Sequence, residues 1–384
     1  MLIQNARILT MEGPDLAHGC IRVADGKIAA VAEALAPLPD EEVVDASGLT
    51  VMPGMVDAHC HVGLYSYGLG AEGSGTNEMT TPMTPQLSAI DSINPQNSIM
   101  SDSYEAGVTT ICTGPGSANL IGGTFTVIKT VGDCVDDMIV KKEAALKAAF
   151  GENPKRCYGQ MAGKEPYTRM GSMGLLRQRF YDAKAYMEAC ARAEAGEGEA
   201  PERDLALENM AKVLRREMPL KCHAHRADDM FSAIRLAREF GFDLTLEHCT
   251  CGRSVAGALA REGVPMIVGP FLTERWKVEM DVDYDAPMAF AAAGIEFALC
   301  TDAPVVPQRL LPVIAGYLVG RGLDEKRALR AITITPARIL GVDARVGSIR
   351  PGKDADLVFY DGHPFDLAAR VRRVMVDGAT VFQQ

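Results

Sequence analysis

Hydrophobic and polar positions follow two different rhythms along the chain. Residues 1–52 read as short strands separated by turns: LIQNARIL, then GCIRVADGKIAAVA as a hairpin about Asp25-Gly26, then EEVVDASGLTVM with a further turn at Gly48. Residues 347–384 have the same character, with GSIRPGKDADLVFYD and VRRVMVDGATVFQQ as strands around Pro351-Gly352 and Asp377-Gly378. The long middle changes register. Apolar runs VDAHCHV, VTTICTG, TFTVIK, ALKAAFG, LKCHAH, LTLEHCT, PMIVGPF and EFALCTDAP read as strands. Helical patterns lie between several of them. ADDMFSAIRLAREFG, SVAGALAREG and APMAFAAAG each end in Gly, a frequent helix stop, and longer helices cover MGLLRQRFYDAKAYMEACARAEAG and ALENMAKVLRREM. Eight strands alternating with helices predict an α/β chain folded as a (β/α)8 TIM barrel. The β-rich ends predict a small β-sandwich domain formed by both termini. The expected division is therefore residues 1–52 with 347–384 as one composite unit and 53–346 as the barrel.

Two stretches interrupt the alternation. Residues 64–100 are rich in Gly, Thr, Ser, Pro and Asn, and a loop of that length inside a compact domain is usually functional or mobile. It follows the first barrel strand, which places it over the mouth. GPGSANLIGG at 114–123 is a second loop. It lacks the Lys-Ser/Thr ending of a phosphate-binding loop and does not read as one.

Composition narrows the classes without choosing among them. A chain of 384 residues, 47% hydrophobic and 23% charged, can bury a large core. The net charge of −11 argues against nucleic acid as partner, because phosphate binding needs a basic surface. No apolar run reaches 18 residues, so no membrane span is expected, and the opening MLIQNARILTMEGPD does not read as a secretion signal. The ten cysteines are scattered, several inside strands (Cys60, Cys112, Cys222, Cys249, Cys300), as expected for buried thiols in a reducing, cytoplasmic compartment. Cys249 and Cys251, in HCTCG, are a weak metal signal. A homo-oligomer is left open.

The chemistry concentrates at strand ends. Of seven histidines, five fall in three segments: His59 and His61, His223 and His225, and His248. In VMPGMVDAHCHVG, residues 51–63, His59 and His61 are two apart and point the same way, a pincer suited to a divalent metal because neutral imidazole is a good ligand. Asp57 precedes them on the strand's other face and reads as support. Asp302 ends a fourth segment, FALCTDAP. On a barrel these lie at the C-terminal ends of the first, fifth, sixth and eighth strands, the face that carries barrel active sites. His18 and His363 read as surface residues.

PGMVDAHCH, LEH, the TDAP strand end and the tail GSIRPGKDADLVFYD resemble the amidohydrolase superfamily, most closely its imidazolonepropionase-like members, over nearly the whole chain. The resemblance implies one or two divalent ions, zinc or alternatively iron or manganese, at the barrel mouth. It puts His59 and His61 on the more buried metal and His223 and His248 on the more exposed one. Asp302 matches the aspartate that touches the first metal and handles the proton of the attacking water. Many relatives bridge the metals with a carboxylated lysine on the fourth strand; Lys147 is the first candidate here and Lys129 the second.

The implied activity is metal-dependent hydrolysis of a C–N bond in an amide, cyclic amide or peptide-like small molecule. Asp302 serves as acid and base, and His225 is a second catalytic and substrate-contacting group. Arg226 and Arg169 are candidates for holding a substrate carboxylate, with Tyr65 and Asn119 as further contacts. A single-metal deaminase is the alternative; such relatives place a Glu soon after the fifth-strand histidine, where HAHRADD offers Asp228 and Asp229. A non-catalytic scaffold is disfavoured, since it would be expected to lack some ligands.

Overall fold

The computed structural model describes residues 1–67, 70, 72–273 and 282–384. Gly68, Leu69 and Ala71 of the long loop lie outside the described residues. The chain opens with β1 (Leu2–Ile8), β2 (Leu16–Ala24), β3 (Lys27–Ala32), β4 (Val43–Asp45) and β5 (Thr50–Pro53). Next come β6 (Met55–Cys60), β7 (Val108–Thr113), β8 (Ile121–Lys129), β9 (Ile139–Ala149), β10 (Leu220–Ala224), β11 (Leu244–His248), β12 (Met266–Val268) and β13 (Phe297–Leu299). It closes with β14 (Leu357–Tyr360), β15 (Val371–Val376) and β16 (Ala379–Gln383).

Both ends of the chain enter one sheet, in the order β16-β15-β14-β5-β1-β2-β3 with β4 added to β1. Its hairpins follow from two Asp-Gly pairs. Asp25 and Gly26 have φ of 50° and 74°, and Asp377 and Gly378 have 47° and 78°, so both turns hold two consecutive positive φ values, the geometry that suits tight hairpins. A Cβ on Gly26 would lie 2.9 Å from the Asp377 carbonyl oxygen, so glycine is also needed where the two turns meet. The segment 347–350, read as strand, is not one; β14 begins at Leu357. Buried Ser348 and Lys353 turn inward to the Glu12 carboxylate, a polar attachment that a regular ladder would not provide.

The second sheet is the barrel, in the order β6 to β13. Its lumen is filled by Val56, Ala58, Cys112, Phe125, Val127, Ile267, Ala298 and Cys300, with Ala337 and Leu340 packed in from the helix Ile334–Leu340. Burying a side chain such as Phe125 contributes ~1.5–3 kcal/mol. Helices pack outside, and the stops read from sequence hold: the helices Ala227–Phe240 and Ala256–Glu262 end in Gly241 and Gly263, both left-handed. The helix Arg169–Glu194 starts four residues before Met173, because the Thr168 side chain accepts a hydrogen bond from Gly171 N and caps it.

One strand departs from the eight-parallel pattern. β8 is antiparallel to both β7 and β9. Residues 114–120 hold no crossover helix, and so short a connection can only return the chain antiparallel. The reversal sends the two lysines to opposite ends of the barrel. Lys147, on β9, faces the mouth, whereas Lys129, at the far end of β8, faces Asp354, Asp356 and Asp377 at the base. At the mouth, β6 and the end of β13 are joined by Asp302 N to His59 O (3.1 Å) and His61 N to Ala303 O (2.7 Å).

Candidate active site

The five histidines converge. Ring centroids are 4.8 Å apart for His59 and His248, 4.5 Å for His223 and His248, 4.7 Å for His223 and His225, and 5.5 Å for His59 and His61, and all five rings are buried. Val56 and Ala58 point into the lumen, and Asp57 outward. A register irregularity between Asp57 and Cys60 then turns His59 inward as well, so both histidines of the pincer reach the mouth. The outward Asp57 carboxylate accepts from His59 N (3.2 Å), Thr301 Oγ1 (2.5 Å) and Gln308 Nε2 (3.2 Å), and burial pushes its pKa up to about 6.

Three of the histidines are fixed through Nδ1. His59 Nδ1 lies 2.8 Å from Glu247 Oε2, His61 Nδ1 2.7 Å from Gly114 O, and His248 Nδ1 2.8 Å from Gly269 O. Carbonyl and carboxylate oxygens only accept, so each Nδ1 carries a proton, which in a neutral ring leaves the lone pair on Nε2. Burial, followed by Lys147 and Lys221, holds the His59 imidazole well below the usual histidine range, which keeps it neutral. Asp302 Oδ1 lies 3.2 Å from His61 Nε2 and 3.6 Å from His59 Nε2. One ligand atom from each of His59, His61 and Asp302 lies within 4.8 Å of the others, so this group can hold a metal ion. Asp302 has φ of 53° and His248 of 75°, backbone conformations that cost non-glycine residues about 1–3 kcal/mol and concentrate at functional sites.

Beneath the histidines sit two buried lysines in register, Lys147 on β9 and Lys221 on β10. Their Nζ atoms lie 5.5 and 5.4 Å from the Phe125 ring centroid. Lys147 Nζ is 3.3 Å from His59 Nε2, and Lys221 Nζ is 2.8 Å from Glu247 Oε2. Burial opposes the Lys221 charge, but Glu247 outweighs it and raises the pKa. Glu247 thus neutralises one lysine and orients His59, with Thr245 Oγ1 donating to its other oxygen at 2.5 Å. Glu247 and Lys221 are not among the residues that the sequence singles out. The signal was a charge inside each otherwise apolar strand, LTLEH and LKC.

Beside this group lies a cavity of about 420 Å³ lined by His61, Asp302, Tyr65, Ser117, Asn153 and Arg156, among others. The loop 64–100 forms part of its wall through Tyr65, Ser74, Thr76, Asn77 and Met79. Of the substrate candidates, Tyr65 is brought to the cavity, and His225 stacks on His248 with its Nδ1 2.9 Å from Thr250 Oγ1. Of the five candidates only Tyr65 is among the lining residues. Asn119 Nδ2 donates to Glu78 O (2.7 Å) and Thr81 O (2.9 Å), pinning the loop from behind. Arg169 makes a two-pronged pair with buried Asp229 at 2.9 and 3.0 Å, and Arg226 pairs with Asp228 at 2.9 and 2.8 Å. No disulfide forms among the described residues, and burial raises the Cys249 thiol well above its usual range.

A crystal structure of an amidohydrolase from Thermotoga maritima MSB8 is 42% identical, covers 100% of both chains and superposes with a TM-score of 0.97. The chain belongs to the amidohydrolase superfamily. The sequence model of the amidohydrolase family matches residues 282–381. Amidohydrolase tasK from Hapsidospora irregularis is 29% identical over 95% of this chain, which spans 39% of that protein's length. Imidazolonepropionase from Sphingopyxis alaskensis is 23% identical over 96% of this chain and 93% of its own. Among the described residues no helix is long and apolar enough to cross a membrane.

Proposed function

We propose that the protein is a metal-dependent hydrolase that cleaves a C–N bond in an amide, cyclic amide or peptide-like small molecule, using an activated water. The observation that carries this reading is the convergence of His59, His61 and Asp302, with each histidine proton held on the far nitrogen. That donor set suits zinc, and also iron or manganese. His59, His61 and Asp302 would hold a first ion, and His223 and His248 a second. A divalent ion bound there supplies Lewis acidity and lowers the pKa of a coordinated water to about 7.

The side chains divide the remaining work. Asp302 takes the proton of the attacking water and returns it to the leaving nitrogen. His225 polarises the scissile carbonyl from the side of the second histidine pair. Glu247 holds the His59 ring and strengthens it as a ligand. Lys147 is the bridging residue in this reading. Carboxylation would turn its ammonium into an anion and relieve the repulsion of two neighbouring buried cations beside a metal site.

The deaminase alternative calls for a carboxylate near the fifth-strand histidines, but Asp228 and Asp229 are paired with Arg226 and Arg169. The test is elemental analysis of chelator-free protein alongside turnover of an amide panel. One to two equivalents of a divalent ion are expected, with activity removed by chelation and regained on adding zinc. Well under one equivalent, with no activity regained on adding zinc, iron or manganese, would refute the proposal.

A further inference from the structure

Resting on that hydrolase reading, we propose that the cavity binds amides carrying a free carboxylate next to an N–H, such as N-acyl amino acids or short peptides, with Arg156 on the carboxylate and Asn153 on the N–H. Arg156 and Asp302 are the charged side chains among the lining residues, aside from the histidine. Asp302 belongs to the reacting end. The Arg156 guanidinium is exposed to the cavity and, among the described residues, takes part in no ion pair or side-chain hydrogen bond, unlike Arg169 and Arg226. A cation left uncompensated in the wall of a cavity selects for an anion, and its planar fork matches a carboxylate.

Asn153 supplies the second, independent constraint. It lies on the same cavity wall and is only 6% exposed, and its Oδ1 is buried with no hydrogen-bond partner among the described residues. An orphaned buried acceptor costs about 1–3 kcal/mol, so a ligand N–H that reaches it is favoured. Its Nδ2 is 3.5 Å from His223 Nε2, which puts the acceptor beside the predicted second metal position, where a scissile amide would lie. Asn153 and Arg156 are three residues apart on a continuous helical turn, Glu152–Pro154 running into Lys155–Gln160, so their side chains share a face. A donor N–H and an anion separated by one or two bonds fit that spacing.

The test is calorimetric binding to the purified, metal-loaded protein, using N-acetyl amino acids, their carboxamides, and the O-acetyl 2-hydroxy acids that lack the N–H. Wild type should bind the N-acetyl acids roughly 10- to 100-fold more tightly than either comparison set. Arg156→Met should abolish the preference over carboxamides, Arg156→Lys should restore part of it, and Asn153→Leu should abolish the preference over the O-acetyl acids. Turnover is measured on the same compounds. Equal binding of acids and carboxamides by wild type, or a preference that survives Arg156→Met, overturns the subsite even if amides are hydrolysed. Arg156-dependent binding with no hydrolysis of any amide supports the subsite and overturns the hydrolase reading instead.

Discussion

The barrel carries buried charge at both ends, and the two clusters are built on opposite principles. At the base, Lys129 Nζ meets Asp356 Oδ2 (2.5 Å), Asp354 Oδ2 (3.0 Å) and Asp377 Oδ1 (3.2 Å). Asp354 is also paired with Lys27 and with Arg345 (2.9 Å), so three cations face three carboxylates. Every group answers one of opposite sign, and the result ties β8 to the terminal sheet. At the mouth, Glu247 answers Lys221, but five histidines crowd together beside Lys147, and a carboxylate points at the same place as two imidazole nitrogens. Such a group can hold an added cation. Burial and charge alone do not separate structure from chemistry; the direction of the lone pairs does.

The comparison breaks most sharply at the two lysines, Lys147 and Lys129, that are the first and second candidates for the bridging position. Lys129→Met leaves the buried Asp356 carboxylate without its cation and should cost roughly 3–5 kcal/mol in denaturant unfolding, with metal content unchanged. Lys147→Met should do the reverse, leaving unfolding within about 1 kcal/mol of wild type while the protein fails to retain a second ion. Next in size is Glu247→Gln. It keeps the shape but weakens the orientation of His59, and zinc affinity measured by competition should fall about 10- to 100-fold.

The base also has a pH signature. Against the effect of burial, Lys129, Lys27 and Arg345 hold Asp354 at about 2, below its ordinary 3.8. A depressed folded-state pKa stabilises above the unfolded value and is lost as pH falls through the folded one. Of order 2 kcal/mol should therefore disappear between about pH 4 and pH 2. Asp354→Asn should show a correspondingly smaller acid loss when urea unfolding is compared at pH 7 and pH 2.5. The smallest expected effect is at the surface: Arg177→Ala breaks a 2.7 Å pair with Glu239 and should change stability by less than about 1 kcal/mol.

Much of this was legible in the sequence because local rules and tertiary structure agreed. The Asp-Gly turns, the helices stopped by Gly241 and Gly263, and the eight barrel runs reappear in place. The histidines were found because imidazoles are scarce and fell at strand ends. The reversal of β8 was not legible, since strand direction depends on the connection rather than on the strand's own pattern; the missing helix at 114–120 was the available clue. Sequence offers Arg226, which follows HAH, and Arg169, in YTRMG, to a substrate because it does not show which acids lie beside them. Arg156 and Asn153 went unnoticed because a helical turn after the fourth strand looks polar and ordinary until the cavity behind it is seen.

The most direct test of the central claim is a side-by-side measurement of metal content and turnover for Asp302→Asn and His59→Ala, on any amide substrate. Asp302→Asn keeps the shape and one oxygen ligand but loses the base. It should remain folded and retain most of its metal while turnover falls on the order of 10²-fold or more. His59→Ala should lose metal and activity together, because that side chain has a metal to hold and no proton to manage. Near-normal turnover by metal-bound Asp302→Asn would contradict the assignment and move the acid–base role to His225.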